Sequence, residues 1–208
     1  MKAVIFDFDG TMVDTESLWF EASKNILEEE FGFQLPIEKF ASFIGTTDEE
    51  LLQYYFEEVG DTFIKEAFTE KLEATLNEKS KDLGLRPGFL TFFQQVKNAG
   101  LKIGMATSSS RAWVEPFLRK FQILEDFDVI CTRDDVEKVK PDPKLYLLAL
   151  EKLAVKAEEA IAIEDSVNGS AAAIKAGIKC FVIPNPITEY LTFDEQITQL
   201  TSFEQIKL

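Results

Sequence analysis

The sequence predicts an α/β fold: a parallel sheet with helices on both faces, interrupted by an all-helical insert. Three observations carry that prediction. Short apolar runs alternate with helical patterns outside one long segment, as they do when a parallel sheet is covered on both sides. The strand ends carry acids, hydroxyls and a lysine that packing does not require, and ligands of such sheets bind at the strands' carboxyl ends. The stretch Thr15–Leu83 has no strand candidate and reads as several helices.

The first strand candidate, Lys2–Phe8, is rich in branched and aromatic residues. It runs into Asp7-Phe8-Asp9-Gly10-Thr11, and Gly10 supplies a turn signal. Side chains alternate along a strand, so Asp7 and Asp9 project the same way for as long as strand geometry lasts. Paired carboxylates there attract a divalent cation or perform proton chemistry. In the insert, Lys65–Leu76 has apolar residues at helical spacing. Thr47 and Glu50 resemble a capping box before Leu51–Val59. Its many Phe and Tyr residues read as core packing. The α/β pattern resumes at Gly84-Leu85-Arg86-Pro87-Gly88, a plausible hinge. The expected division is therefore residues 1–14 and 84–208 for the α/β unit and 15–83 for the helical one.

Helical patterns follow at Gly88–Ala99, Ala112–Lys120, Pro143–Leu153 and Asn168–Ala176, with strand candidates Lys102–Thr107, Phe127–Thr132, Ala160–Glu164 and Lys179–Ile183 among them. Gly100 and Gly177 stand where helix-stopping glycines belong. Pro116 is expected to distort its helix. After Thr107 comes a hydroxyl run, Ser108-Ser109-Ser110, which offers donors to an anion or an N-cap at Ser109 or Ser110. Lys140-Pro141-Asp142-Pro143 is a rigid loop presenting one lysine, and Pro143 suits a first helical turn. The fourth strand ends in Glu164-Asp165-Ser166, where Asp165 or Ser166 can also cap a helix.

Composition excludes whole classes of function. The chain of 208 residues has no histidine, so Ser-His-Asp, Cys-His and imidazole-metal chemistry are ruled out. A net charge of −15 argues against nucleic acid and anionic membrane surfaces. Residues 16–82 hold 17 acids against six lysines and no arginine, and so −11 of that total. Cys131 and Cys180 fall in strand candidates and read as buried reduced thiols of a cytoplasmic protein. No stretch has the length of a membrane span, and Asp7 interrupts the first apolar run too early for a signal peptide.

Four acids at one sheet edge require compensation, since two unit charges ~4 Å apart interact by about 4 kcal/mol at an effective dielectric of 20. Mg²⁺ with Lys140 would supply it. In order and spacing, DxDGT, the hydroxyl strand end, Lys-Pro-Asp-Pro and Glu-Asp-Ser-x-x-Gly resemble the four motifs of the haloacid dehalogenase superfamily. The likeness spans the chain, because the insert resembles that family's cap domain. The nearest subgroup contains phosphoglycolate phosphatase, sugar-phosphate phosphatases and β-phosphoglucomutase.

The resemblance implies a phosphatase in which Asp7 is the nucleophile and Asp9 the general acid and base. Asp7, Asp165 and the Asp9 backbone carbonyl would hold Mg²⁺, with Glu164 in support. Thr107, the Ser108 backbone N–H and Gly10 would receive the phosphoryl group, and Lys140 would neutralise charge between it and Asp7. Substrate choice would lie with the insert, near Trp19, Phe20, Ile44 and Thr46. The expected ligand is a small phosphorylated metabolite, and a monomer with a moving cap is the expected state. Trp19 stands where the mutase has a histidine, Asp48 where it has an arginine, and the insert lacks arginine altogether, so hydrolysis is favoured over a mutase. A receiver-type phosphoacceptor or an idle binding module are the alternatives from other classes.

Overall fold

Strand β1 (Ala3–Phe6) is buried along its whole length and lies mid-sheet in the computed structural model, which describes residues 1–208. It pairs in parallel with β2 (Lys102–Ala106) and β4 (Ala160–Glu164). β3 (Val129–Cys131), β5 (Lys179–Val182) and β6 (Thr198–Gln199) extend the sheet in the order β3-β2-β1-β4-β5-β6, every pair parallel. All carboxyl ends therefore share one edge.

Alternation sorts the strand side chains between two cores. Val4, Phe6, Ile103, Met105, Ile161 and Ile163 pack under α5 (Phe89–Asn98) and α6 (Arg111–Lys120). Ala3, Ile5, Ala162, Cys180 and Val182 pack under α7 (Lys144–Leu153) and α8 (Val167–Lys175). Gly104 lets α7 come close: a Cβ there would meet Leu153 Cδ1 at 2.9 Å. Both cysteines are buried and free.

The insert forms α1 (Thr15–Phe31), α2 (Ile37–Ala41), α3 (Asp48–Val59) and α4 (Lys65–Lys79) around a third core. The aromatic residues do pack there, with the Tyr55 and Phe68 rings 5.3 Å apart and those of Phe63 and Phe68 5.1 Å apart. That core is not self-contained, because Ile187, beyond β5, is buried within it. No helix is long and apolar enough to cross a membrane.

Several local expectations need correction. β1 stops at Phe6, so Asp7 and Asp9 lie beyond strand geometry. β6, two exposed residues long, carries no hydrophobic pattern that could announce it. Thr47 occupies the N-cap of α3 without a side-chain capping bond. Pro116 is absorbed within α6, which continues to Lys120; a proline near the first turns removes only one helical hydrogen bond. Within Gly84–Gly88, the Arg86 N–H donates to the Met12 carbonyl, tying this connection to the other one between the two units.

Candidate active site

Asp7 leaves β1 still fastened to β4, its N–H donating to the Ile163 carbonyl. Lys140 reaches it from the loop before α7, with Nζ 2.5 Å from Asp7 Oδ1 and 2.7 Å from Glu164 Oε1. All three side chains are buried, and the lysine is only 2% exposed. Tyr146 on α7 donates its hydroxyl to Glu164 Oε1 at 2.6 Å. The other Glu164 oxygen accepts from the Asp165 N–H and the Ser166 hydroxyl. A Cβ on Gly169 would stand 2.1 Å from that oxygen, so α8 can cover Glu164 only with glycine at this turn. Glu164 is thus chiefly the partner that fixes Lys140.

Asp165 is gripped on both oxygens. Thr11 Oγ1 donates to Oδ1 at 3.1 Å, and Asn185 Nδ2 to Oδ2 at 2.7 Å. Asn185 is itself fixed, its Oδ1 accepting from the N–H groups of Ile187 and Thr188. Gly10 adopts φ +72°, and a Cβ there would meet Asp165 Oδ2 at 2.2 Å, so conformation and space both demand glycine. Arg86 clamps this corner by donating to the carbonyls of Gly10, Ile183 and Pro184.

The carboxylate of Asp9 belongs to a different neighbourhood. It accepts from Thr15 Oγ1 at 2.8 Å, Ser109 Oγ at 2.6 Å and Trp113 Nε1 at 2.8 Å. The expectation that Asp7 and Asp9 project alike through strand alternation is corrected: with the strand ended, Asp7 meets a cation and Asp9 meets three neutral donors.

Carboxylate oxygens of Asp7, Glu164 and Asp165 lie within 4.8 Å of one another, a grouping that leaves out the Asp9 side chain. Burial pushes the Asp7 carboxyl up to about 7, against the pull of Lys140 and with Glu164 adding repulsion. Burial and the Asp7 and Glu164 charges hold Asp165 well above the carboxylate range. Burial alone would lower Lys140, but the two anions outweigh it and keep it protonated. With one ammonium among three buried carboxyls, full ionisation would leave excess negative charge, which is why Asp7 and Asp165 hold their protons so far up. Asp7 Oδ2 has no protein hydrogen-bond donor. An all-oxygen donor set with surplus negative charge fits a hard divalent cation. Burial raises Asp9 too, opposed by its three donors.

A cavity of about 380 Å³ opens from these acids toward the insert. Thr107, Ser108, Trp19, Ile44 and Thr46 all line it. Thr107 Oγ1 accepts from the Ser109 N–H, which leaves its own proton free to donate. The Ser108 hydroxyl donates to the Gly45 carbonyl, and Asn168 Nδ2, from the first turn of α8, to that of Ile44, so residues of the α/β unit hold the α2–α3 loop. The Thr46 hydroxyl is turned to the Phe43 carbonyl. Phe20 is a correction: it is buried against Phe40 in the insert core and is not part of the cavity wall. Ser110, not Ser109, caps α6, and Ser166 caps α8.

Sequence reasoning missed Asn185, Trp113, Tyr146, Arg86, Thr11 and Glu16 as site residues. Thr11 sits within the first motif and could have been found. Asn185 lies twenty residues beyond Asp165, and only its flanking prolines marked a turn there. Glu16 lines the cavity; burial, then the charges of Asp165, Asp9, Asp7 and Asp14, hold its carboxyl well above the usual range.

Comparison with known proteins is consistent along the chain. A family model described as haloacid dehalogenase-like hydrolase matches residues 4–183. The Bacillus subtilis protein YhcW is 40% identical over 209 residues, covering 100% of this chain and 94% of its own. A Thermotoga maritima protein named phosphorylated carbohydrates phosphatase is 34% identical over 183 residues, covering 86% of this chain and 83% of its own. The crystal structure of CbbY from Rhodobacter sphaeroides in complex with phosphate superposes with a TM-score of 0.83 at 29% identity, over 99% of this chain and 96% of that one.

Proposed function

We propose, from the premise that this chain belongs to the haloacid dehalogenase-like hydrolase family, that it is a Mg²⁺-dependent phosphomonoester hydrolase working through an aspartyl-phosphate on Asp7. The observation that carries this reading is the division of labour between two aspartates two residues apart. Asp7 is braced by Lys140 with one oxygen free, while Asp9 is held separately by neutral donors.

Asp7 attacks phosphorus as the ester P–O bond breaks, and Asp9 gives its proton to the departing oxygen. A water molecule then attacks the phosphorus of the aspartyl-phosphate and loses its proton to Asp9, which releases phosphate and restores Asp7. Lys140, the Thr107 hydroxyl and the Ser108 N–H stabilise charge on the transferring oxygens, the main task in phosphoryl transfer. Asp7 and Asp165, backed by Glu164 and the Asp9 carbonyl, would hold Mg²⁺, which supplies further positive charge there.

The substrate is a small phosphorylated metabolite. The Thermotoga relative's name supports that class, as does a CbbY structure containing xylulose-(1,5)bisphosphate. Residues 15–83 act as a cap over the α/β unit of residues 1–14 and 84–208, in a monomer. Incubation with p-nitrophenyl phosphate tests the reading. Wild type with Mg²⁺ releases nitrophenol, while EDTA-treated protein and Asp7→Asn do not. Release that persists in EDTA, or stable labelling by acetyl phosphate without turnover, would overturn it.

A further inference from the structure

Resting on the phosphatase reading, we infer that the substrate's leaving group is uncharged and hydroxyl-bearing, and that the cavity wall discriminates against a second phosphate or a carboxylate. Beyond the reacting acids, the wall offers the carboxyl groups of Glu16, Asp48 and Glu73, and Arg133 as the one cation. Arg133 already pairs with a wall carboxylate, its Nη1 3.3 Å from Asp48 Oδ2 in an exposed contact between the α/β unit and α3. The insert has no arginine, and none of its six lysines reaches the cavity.

A second anionic group would therefore meet three carboxyls and one cation that already faces Asp48. Placing an unpaired charge against like charge is how a site rejects the wrong ligand. The same wall suits hydroxyls. Asn77 offers both donors and an acceptor. Glu16 can accept from a hydroxyl when ionised or donate to one when protonated, but in neither state does it neutralise an anion. Trp19, set edge-on to Trp113 with ring centroids 6.4 Å apart, gives an apolar face for the carbon skeleton.

The test uses the full chain with Mg²⁺ and reads competition against p-nitrophenyl phosphate. Glycerol 3-phosphate and glucose 6-phosphate are compared with 2-phosphoglycolate, 3-phosphoglycerate and fructose 1,6-bisphosphate. The first pair should compete at least about tenfold more tightly at low ionic strength, with the gap narrowing as salt screens the wall. Asp48→Asn, which frees Arg133, and Glu73→Gln should each shrink the gap by improving the anionic set. Both variants are checked by circular dichroism, so either one suffices if the other fails to fold. Anionic compounds competing equally or better, neither set competing, or a gap unmoved by a folded variant would overturn the inference. Failure of the phosphatase reading is visible separately, as absent nitrophenol release; calorimetric binding of the same compounds to the Mg²⁺-loaded protein then decides the charge preference by itself.

Discussion

The acids at the strand ends and the acids of the helical insert are the same chemical groups in opposite surroundings. Asp7, Glu164 and Asp165 are buried, and each is reached by at least one side chain distant in sequence: Lys140 on Asp7, Lys140 and Tyr146 on Glu164, Asn185 on Asp165. The acids of α3 and α4 mostly face water, and their few ion pairs, such as Lys65 with Glu49, are exposed. Burying a charge costs far more than leaving it in solvent, so the first group persists for what it can bind, while the second, the cavity-lining Asp48 and Glu73 apart, is simply hydrated. Environment, and not the number of acids, separates a site from a solvated face.

The sharpest way to break this contrast is to neutralise one acid from each group. Asp7→Asn should abolish turnover, by at least about 10³-fold, as loss of a nucleophile does. Yet metal-free protein carrying it should melt no lower than wild type, because Lys140 retains Glu164 and one unfavourable buried charge is gone. Steady-state kinetics and thermal melting check both halves.

Gly169→Ala comes next. The new methyl must displace the Glu164 carboxylate, so overpacking should cost about 1–3 kcal/mol and lower kcat through a displaced Lys140. Denaturant unfolding beside kinetics reads this.

A third effect is seen in pH. The Asp7 carboxyl stands at about 7 in the folded chain against its ordinary 3.8. The folded chain then holds this proton more tightly than the unfolded one, so metal-free stability should fall as pH rises from 3.8 to about 7. Bound Mg²⁺ should reverse that loss. At ~100 times its dissociation constant it contributes about 2.7 kcal/mol, or roughly 5–10 °C in Tm for a chain of this size, and more at about pH 8 than at about pH 5, where protons compete. Melting curves with and without Mg²⁺ at the two pH values check it.

The smallest change is expected in the insert. Glu70→Gln, on an exposed position of α4, should alter stability and turnover by less than about 0.5 kcal/mol. A loss as large as that of Gly169→Ala would show that the insert's acids outside the cavity are not merely solvating.

Much of this was legible in the residues. Parallel strands announce themselves as short branched runs, and Asp7, Lys140, Glu164 and Asp165 end or follow such runs where packing has no use for charge. What escaped is what only the third dimension supplies. Trp113 looks like an amphipathic-helix aromatic until its indole meets Asp9. Asn185 looks like a loop residue until the chain returns it to Asp165. Asp7 and Asp9 obey alternation only while the strand lasts, and it ends one residue before Asp7.

Chemical trapping examines the nucleophile most directly. Mg²⁺-loaded protein turning over a phosphomonoester is acid-quenched, reduced with borohydride and mapped by mass spectrometry. An acyl phosphate on Asp7 leaves homoserine at that position alone, and omission of Mg²⁺ or substrate leaves aspartate. Turnover with Asp7 unmodified and the reduced residue elsewhere would contradict the account.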